Sequence, residues 1–152
     1  MRWANFLHFY QPAGQQFDVL EAIIAQCYQP LLEGFRDNKK VRLTLNVTGS
    51  LLEMFDKSGH QDLIDILKDL VHEGRIELTG SAKYHAFLPL LDQTEVVRQI
   101  QLNNETLRFF MGSHFKARGF FPPEMAFYKG LPAVLESEGF EWVILDEIAK
   151  DG

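Results

Sequence analysis

The chain has 152 residues, of which 46% are hydrophobic and 24% are charged. This balance is typical of one folded domain with a buried core, and it excludes a disordered or fibrous protein. A net charge of −6 and an isoelectric point near 5.3 argue against nucleic acid and anionic membranes as partners, because phosphate binding needs clustered Lys and Arg.

Cysteine usage and the first ten residues indicate the cellular compartment. Cys27 is the single cysteine, so neither an intramolecular disulfide nor a multi-cysteine zinc site is expected. Its apolar neighbours predict a buried, structural thiol. Asn5 and His8 interrupt the short apolar run at residues 1–10, which predicts neither a signal peptide nor a membrane span. A cytoplasmic protein is expected.

The first third of the chain alternates strand and helix patterns. An aromatic and apolar run predicts strand one over Arg2–Gln11. Helical spacing follows from Asp18, and Pro30 predicts a break at the preceding residue with a new helical turn starting on the proline. Alternating apolar residues predict strand two over Val41–Val47, and residues 48–50 are typical of a turn.

The same alternation continues through the rest of the chain. Apolar spacing and glycine punctuation predict helices over 61–72, 94–111 and 131–138, and strands over 76–79, 119–121 and 142–145. Thr94 is the expected N-cap of the longest helix. Strands that alternate with helices pair in parallel, because the helix supplies the crossover. The fold class predicted from this pattern is α/β with a parallel sheet.

Polar side chains gather at the predicted strand ends. In parallel β/α folds, chemistry concentrates at the carboxyl ends of the strands. The residues at or just beyond such ends are His8, Gln11, Asn46, Glu77, His85, Glu124, Asp146 and Glu147. The periodicity leaves open whether the sheet closes into a barrel.

Glu124 is the best candidate for a catalytic carboxylate. It follows Pro122 and Pro123, so a rigid turn at the end of an apolar strand holds it. Such a carboxylate suits a glycosidase nucleophile, although a solvated glutamate that caps the next segment has the same pattern. A retaining glycosidase also needs a second acid about 5–5.5 Å away, and an inverting one needs it about 6.5–9.5 Å away.

Other polar and aromatic residues suit the recognition of a sugar. Tyr84 and His85 follow strand three and offer an aromatic face and fixed polar groups, which favour substrate binding over plain packing. Glu77 lies inside an apolar strand, where a carboxylate is costly unless paired, so a structural pairing is expected alongside its candidacy for substrate binding. His8 and Gln11 are further candidates, and a satisfied core histidine is the competing interpretation of His8.

No metal or other cofactor is predicted. His8, His85, Asp146 and Glu147 could converge in space, but paired histidines at metal-binding spacing and cysteine pairs are absent from the sequence. The dinucleotide, nucleotide and serine-hydrolase fingerprints are missing too, which excludes those classes.

Three motifs resemble those of glycoside hydrolase family 57. Residues 7–12, Leu-His-Phe-Tyr-Gln-Pro, are similar to the opening motif that ends in His-Gln-Pro, with Tyr10 in place of its second histidine. Residues 74–81, followed by Tyr84, His85 and the stretch 88–91, resemble the second motif. Residues 120–126 resemble the third, which carries the catalytic glutamate, here Glu124. The resemblance extends through residues 139–147.

This resemblance implies a fold and an activity. It implies an incomplete (β/α)7 barrel of which the whole chain, residues 1–152, is the N-terminal portion with about the first five strands. It implies a retaining hydrolase or transferase acting on α-glucans, of the amylase, 4-α-glucanotransferase or branching type, with Glu124 as nucleophile. The implied acid/base is an aspartate far downstream, which we expect this chain to lack. Asp146 is too close in sequence to take that role.

The partners expected are an α-glucan or oligosaccharide substrate and either the remaining C-terminal part of the barrel or a second copy of the chain. Two alternative functions stay open. One is a non-catalytic carbohydrate-binding or interaction module, because the acid/base is missing. The other is a metal-dependent polysaccharide deacetylase, a class with a related barrel.

Overall fold

The computed structural model describes residues 4–148, which form strands and helices in alternation. The strands are β1 (Phe6–Phe9), β2 (Leu43–Val47), β3 (Ile76–Thr79), β4 (Gly119–Phe120) and β5 (Trp142–Val143). The α-helices are α1 (Phe17–Ile23), α2 (Gln29–Asp37), α3 (Gly49–Lys57), α4 (Gln61–His72), α5 (Gln93–Met111) and α6 (Leu131–Ser137). Short 3₁₀ turns lie at Leu88–Leu90 and Pro123–Met125.

All strand pairs are parallel, which confirms the predicted α/β class. The sheet order is β1-β2-β3, and β4 pairs with β5. The two parts meet where Gly80 donates its N–H to the carbonyl of Gly119 and accepts the N–H of Phe121. The strands therefore neighbour one another in the order in which they occur along the chain.

The two faces of β1–β3 differ in polarity because successive strand residues point to opposite sides. The apolar face packs against the helices in the main core, and it carries Leu7, Phe9, Leu45, Val47, Ile76 and Leu78. The opposite face carries His8, Asn46, Glu77 and Thr79. A second core joins Phe120 of β4 to α5 and α6. The sheet thus turns its polar face away from its helices.

Two glycines let aromatic rings pack directly against the backbone of the sheet. A Cβ placed on Gly119 would overlap the indole of Trp142, and one on Gly80 would overlap the ring of Phe140. Both rings come from the segment around β5. Only glycine permits this packing, so these positions fix how closely β5 approaches β4.

Helix α3 is absent from the sequence prediction, which assigned residues 48–50 to a turn. The helix starts where that turn was expected. Its first N–H, from Gly49, is accepted by Oδ1 of Asn103 at 2.8 Å, and a Cβ on Gly49 would come within 2.9 Å of Thr106. The helix is thus capped and closely approached by α5, a contact that local sequence does not reveal.

The break predicted at Gln29 is wrong, because the chain stays helical there, whereas the predicted start of a new helical segment is confirmed: α2 begins at Gln29, with Pro30 in its first turn. Residues 24–28 form a π-helical turn between α1 and α2, in which Gln29 donates its N–H to the carbonyl of Ile24. This turn absorbs the proline, whose nitrogen has no hydrogen to donate, without breaking the helix. Cys27 lies in the turn and is exposed, so the prediction of a buried thiol is also wrong.

Boundaries elsewhere agree closely with the prediction. Strand β3 and helix α4 have the expected bounds, whereas β1 covers only part of the predicted strand, whose start at Arg2 lies outside the described residues. The N-cap of α5 is Asp92 rather than Thr94, because the Asp92 side chain accepts the N–H of Glu95 at 2.9 Å.

Arg75, just before β3, joins the sheet to the end of α2. Its guanidinium is buried and donates to the carbonyls of Phe35, Arg36 at 3.3 Å and Asn38 at 2.7 Å. These are carbonyls of the kind that a helix end leaves unpaired. Arg75 therefore caps α2 from a distant part of the chain.

Candidate active site

A row of three polar side chains crosses the sheet near its carboxyl edge. The strand register places His8 beside Asn46 and Asn46 beside Thr79. Nδ1 of His8 lies 2.8 Å from Oδ1 of Asn46, and Nδ2 of Asn46 donates to Oγ1 of Thr79 at 3.0 Å. Asn46 and Thr79 are completely buried, whereas His8 is exposed at one end of the row. The row therefore presents the imidazole on the polar face.

His85 packs its ring against those of His8 and Tyr10. The ring centroids of His85 and His8 are 4.9 Å apart, and those of His85 and Tyr10 are 4.2 Å apart. Phe121 adds a tilted contact to His8 at 5.0 Å. The His85 side chain is only 8% exposed, and its Nε2 is buried without a hydrogen-bond partner in the described part of the chain.

Glu124 approaches this group from the end of β4. Its Oε1 lies 3.7 Å from Nδ1 of His85, too long for a hydrogen bond, and its side chain is 69% exposed. The structure thus brings together His8, His85 and Glu124, which the sequence assigned to three different strand ends.

Backbone strain is concentrated at these residues. Among residues 4–148, the non-glycine positions with positive φ are His85 (55°), Glu124 (59°) and Met125 (52°). Such conformations are costly for side-chain-bearing residues and persist where the surroundings enforce them, often at functional sites. Two of these three residues, His85 and Glu124, approach each other in the site.

Both histidines favour the neutral form. Burial lowers the pKa of His85, and the neighbouring His8 lowers it further, against the opposing effect of Glu124. Packed protein atoms also lower the pKa of His8, although part of its surface meets solvent, while the hydrogen bond to Asn46 and the charge of Glu124 oppose this shift. Near neutral pH, the site therefore combines two uncharged imidazoles with a carboxylate.

The loop that carries His85 is held by an ion pair to α3 and by a hydrogen bond to α5. Lys83 makes a 2.7 Å ion pair with Glu53 and is almost buried, and Gln99 accepts the N–H of Tyr84 at 3.3 Å through its side chain. Lys83, Glu53 and Gln99 were not predicted from the sequence as supports of the site. Nothing in their spacing reveals that they meet.

Asn46 was predicted only as one of the polar residues at the strand ends, and no role was predicted for Thr79. Both are polar residues that alternate with apolar ones in a strand, like His8. This alternation, which places Asn46 and Thr79 on the same face of the sheet as His8, is the signal that could have identified them.

Gln11 follows Tyr10 in the chain, but its side chain is hydrogen-bonded to Tyr28 rather than to the residues of the site. Its Nε2 donates to the hydroxyl of Tyr28 at 3.1 Å, and that hydroxyl donates to the carbonyl of Tyr10 at 3.0 Å. Gln11 therefore helps to hold the segment that follows β1. A contact between Gln11 and a substrate stays a prediction.

Glu77 occupies the polar face two residues before Thr79, on the amino side of the His8 row. Its Oε1 accepts from Nη2 of Arg118 at 3.2 Å, and Arg118 also lies 3.6 Å from Glu141. The expected structural pairing of Glu77 is thus present. The structure does not join Glu77 to the group around Glu124, and its role in substrate binding stays a prediction.

The remaining candidates are exposed and make local contacts. Tyr84 is 47% exposed, with Nζ of Lys83 lying 5.6 Å from its ring centroid. Asp146 accepts the N–H of Ile148 at 3.0 Å, and Glu147 beside it is exposed. Substrate binding by these three residues stays a prediction.

Residues 4–148 contain no group of three or more His, Cys, Asp or Glu residues placed to hold a metal ion. Within the same residues, no helix has the length and apolar character needed to cross a membrane.

Comparison with known proteins places the chain in a family. The family profile described as Glycosyl hydrolase family 57 matches residues 6–151. An α-amylase from Pyrococcus horikoshii is 29% identical over 146 residues, which cover 94% of this chain and 22% of that protein. The crystal structure of 4-α-glucanotransferase from Thermococcus litoralis matches with a TM-score of 0.85 and 23% identity, over 93% of this chain and 22% of that one.

A more distant structural match concerns another class of carbohydrate enzyme. The family 4 carbohydrate esterase from Streptomyces lividans, in complex with acetate, matches with a TM-score of 0.63 and 16% identity, over 95% of this chain and 62% of that one. At this identity the match concerns the fold alone.

The chain spans about a fifth of the length of the amylase and the glucanotransferase that it matches. The family profile, by contrast, covers nearly all of the described residues, including the strand ends that carry His8, His85 and Glu124. The chain belongs to glycosyl hydrolase family 57.

Proposed function

We propose that this chain supplies the nucleophile side of a retaining α-glucan hydrolase or transferase, with Glu124 as the nucleophile. The observation that carries the proposal is the approach of Glu124 to His85 on a strained turn at the end of β4, within the matched family region. Retention requires a carboxylate that attacks the anomeric carbon of the sugar. Glu124 is exposed on the polar face and is held there by its backbone.

Neutral aromatic groups around Glu124 suit a sugar ring. The rings of Tyr10, His8 and His85 form a partly open stack, and the exposed Tyr84 directly precedes His85 in the same loop. Aromatic faces bind the apolar side of a sugar, and imidazole nitrogens exchange hydrogen bonds with its hydroxyls. Recognition of an uncharged glucan therefore fits the site better than recognition of a phosphate or another anion.

We propose that the sheet is the first part of an incomplete (β/α)7 barrel. Five parallel strands in chain order, with the polar face turned away from the helices, support this architecture. Additional strands from the same longer protein would enclose the polar face and bring the general acid opposite Glu124. In a retaining enzyme that acid stands about 5–5.5 Å from the nucleophile.

The test is hydrolysis or transfer of an activated α-glucoside by the whole protein as its source cells make it. We expect Glu124→Gln to abolish turnover while leaving the fold intact. The matched control is Glu136→Gln, an exposed glutamate on α6, which should turn over like the unmodified protein. Full activity of Glu124→Gln would overturn the assignment of the nucleophile.

Two other outcomes would replace the proposal. Saturable binding of maltooligosaccharides without turnover by the whole protein would favour a non-catalytic carbohydrate-binding module. Metal-dependent release of acetate from an acetylated polysaccharide would favour a deacetylase. The fold match to a carbohydrate esterase is the reason to test this alternative.

A further inference from the structure

The two nitrogens of the His8 ring have different surroundings. Nδ1 lies 2.8 Å from Oδ1 of Asn46. A carbonyl oxygen can only accept a hydrogen bond, so Nδ1 must carry the hydrogen. Because the pKa of His8 is lowered, the ring is neutral near neutral pH and holds a single N–H. Nε2 is then bare, with a lone pair.

Asn46 adopts the orientation that gives this state, with its amide oxygen toward His8 and its amide nitrogen toward Thr79. Its Nδ2 donates to Oγ1 of Thr79 at 3.0 Å, so each end of the amide has a partner, and the side chain is 0% exposed. The parallel register sets His8, Asn46 and Thr79 side by side. A buried amide with both ends paired is costly to disturb.

Nε2 of His8 meets the open side of the sheet. His8 is exposed at the end of the row, and within residues 4–148 no hydrogen bond to its Nε2 is seen. The isolated imidazole side chain favours the opposite tautomer, with hydrogen on Nε2. The protein therefore presents an acceptor at a position where an unconstrained histidine would present a donor.

We propose that Asn46 is a positioning residue that locks His8 in the Nδ1–H tautomer, so that Nε2 accepts a hydrogen bond from a hydroxyl of the carbohydrate bound beside Glu124. The identity of the ligand rests on the proposed function, whereas the tautomer rests only on the contacts of Asn46. No proton is transferred in this contact: the hydroxyl keeps its hydrogen and Nε2 keeps its lone pair.

The test is nitrogen NMR of the whole protein labelled with ¹⁵N on histidine, at slightly alkaline pH and without sugar. We expect Nδ1 of His8 at the chemical shift of a protonated nitrogen and Nε2 at the far downfield shift of a bare one. His72 provides the opposite reference, since its Nε2 lies 2.9 Å from the carbonyl of Met111 and must donate to it. His8→Gln and His72→Gln assign the signals. An Nε2–H form of His8 overturns the proposal.

Substitutions then test whether Asn46 is the cause. Asn46→Leu removes the acceptor and should move His8 to the Nε2–H tautomer, whereas Asn46→Asp keeps an acceptor oxygen and should preserve Nδ1–H. If the leucine variant does not fold, Asn46→Ala is measured in the same way. An Nδ1–H tautomer that persists without the amide overturns the role of Asn46.

Addition of maltotriose separates the two parts of the proposal. We expect the bare Nε2 signal of His8 to shift upfield as it accepts a hydroxyl, with Nδ1 little changed. Maltotriose that binds elsewhere without moving Nε2 overturns the acceptor role. If no glucan binds at all, the proposed function fails, while the tautomer measured without sugar still decides the role of Asn46.

Discussion

Nδ1 of His85 lies 3.7 Å from Oε1 of Glu124, and both residues have a left-handed backbone conformation. The two side chains follow neighbouring strands, β3 and β4. Strain of this kind contributes unfavourably to folding. Backbone strain at both residues of one contact is consistent with a functional site at this position.

The lowered pKa of His85 predicts a loss of stability in mild acid. The unfolded chain binds a proton near the ordinary histidine pKa of about 6.5, before the folded chain does. Stability is therefore fully present above that pH and falls as the pH drops below it. We expect urea unfolding at a series of pH values to show this slope, and His85→Phe, which cannot titrate, to reduce it.

A second fall in unfolding free energy, at lower pH, serves as the internal control for that experiment. Ion pairs and hydrogen bonds lower the pKa of Asp37, Glu73 and Glu95, so their contribution is lost only as the pH falls below about 4. His85→Phe should leave this second fall in unfolding free energy unchanged. An unchanged slope in the range below about 6.5 would show that His85 is not the group responsible.

Two glycine-to-alanine substitutions should have opposite effects. Gly119→Ala would overlap the indole of Trp142 and should lower the free energy of unfolding by about 1–3 kcal/mol. Gly34→Ala lies in α2 with open space around its Cβ and should raise it by about 0.5–1 kcal/mol. Chemical denaturation followed by circular dichroism measures both. Equal effects would contradict the proposed packing of Trp142.

Removal of the Arg75 guanidinium should destabilise the protein more than removal of an exposed arginine. Arg75→Met leaves the carbonyls of Phe35, Arg36 and Asn38 without their donor, and we expect a loss of about 2–3 kcal/mol in unfolding free energy. The control is Arg98→Met, which removes an exposed arginine paired with Glu95 in the same helix and should have a barely measurable effect. Similar losses in both variants would contradict the capping role.

The loop that carries His85 should loosen when Gln99 loses its amide. Gln99→Leu removes the acceptor of the Tyr84 N–H, and exchange of that amide hydrogen should accelerate about fivefold, since a net hydrogen bond contributes ~1 kcal/mol. Gln101→Leu is the matched control on the exposed side of α5, where the amide pairs with Glu138. Hydrogen exchange read by NMR at Tyr84 should not change in the control.

Much of the fold follows from local pattern. The bounds of β3 and α4 were predicted from apolar spacing and from Gly74, because both elements are long or apolar enough for the pattern to dominate. Helix α3 was missed because residues 48–50 were interpreted as a turn, although Leu51, Leu52 and Phe55 beyond them recur at helical spacing. The π-helical turn was missed because a proline in a helical pattern ordinarily ends the helix.

The site could be predicted only as a set of strand ends. Alternation along β1 and β3 tells which residues share a face, but the register between strands decides which of them touch. The register places Asn46 between His8 and Thr79, whereas Glu77 forms an ion pair with Arg118. His85 and Glu124 both have backbone conformations that side-chain-bearing residues rarely adopt, so no sequence pattern predicts their approach.

The order of the strands also sets the order in which the site can assemble. The pair formed by His8 and Asn46 and the link to Thr79 need only β1, β2 and β3, which a ribosome completes before it makes Glu124. Because chains begin to fold from the N-terminus during synthesis, this row can form while the nascent chain still lacks its carboxylate. Docking of β4 through Gly80 would then bring Glu124 to a surface that is already organised.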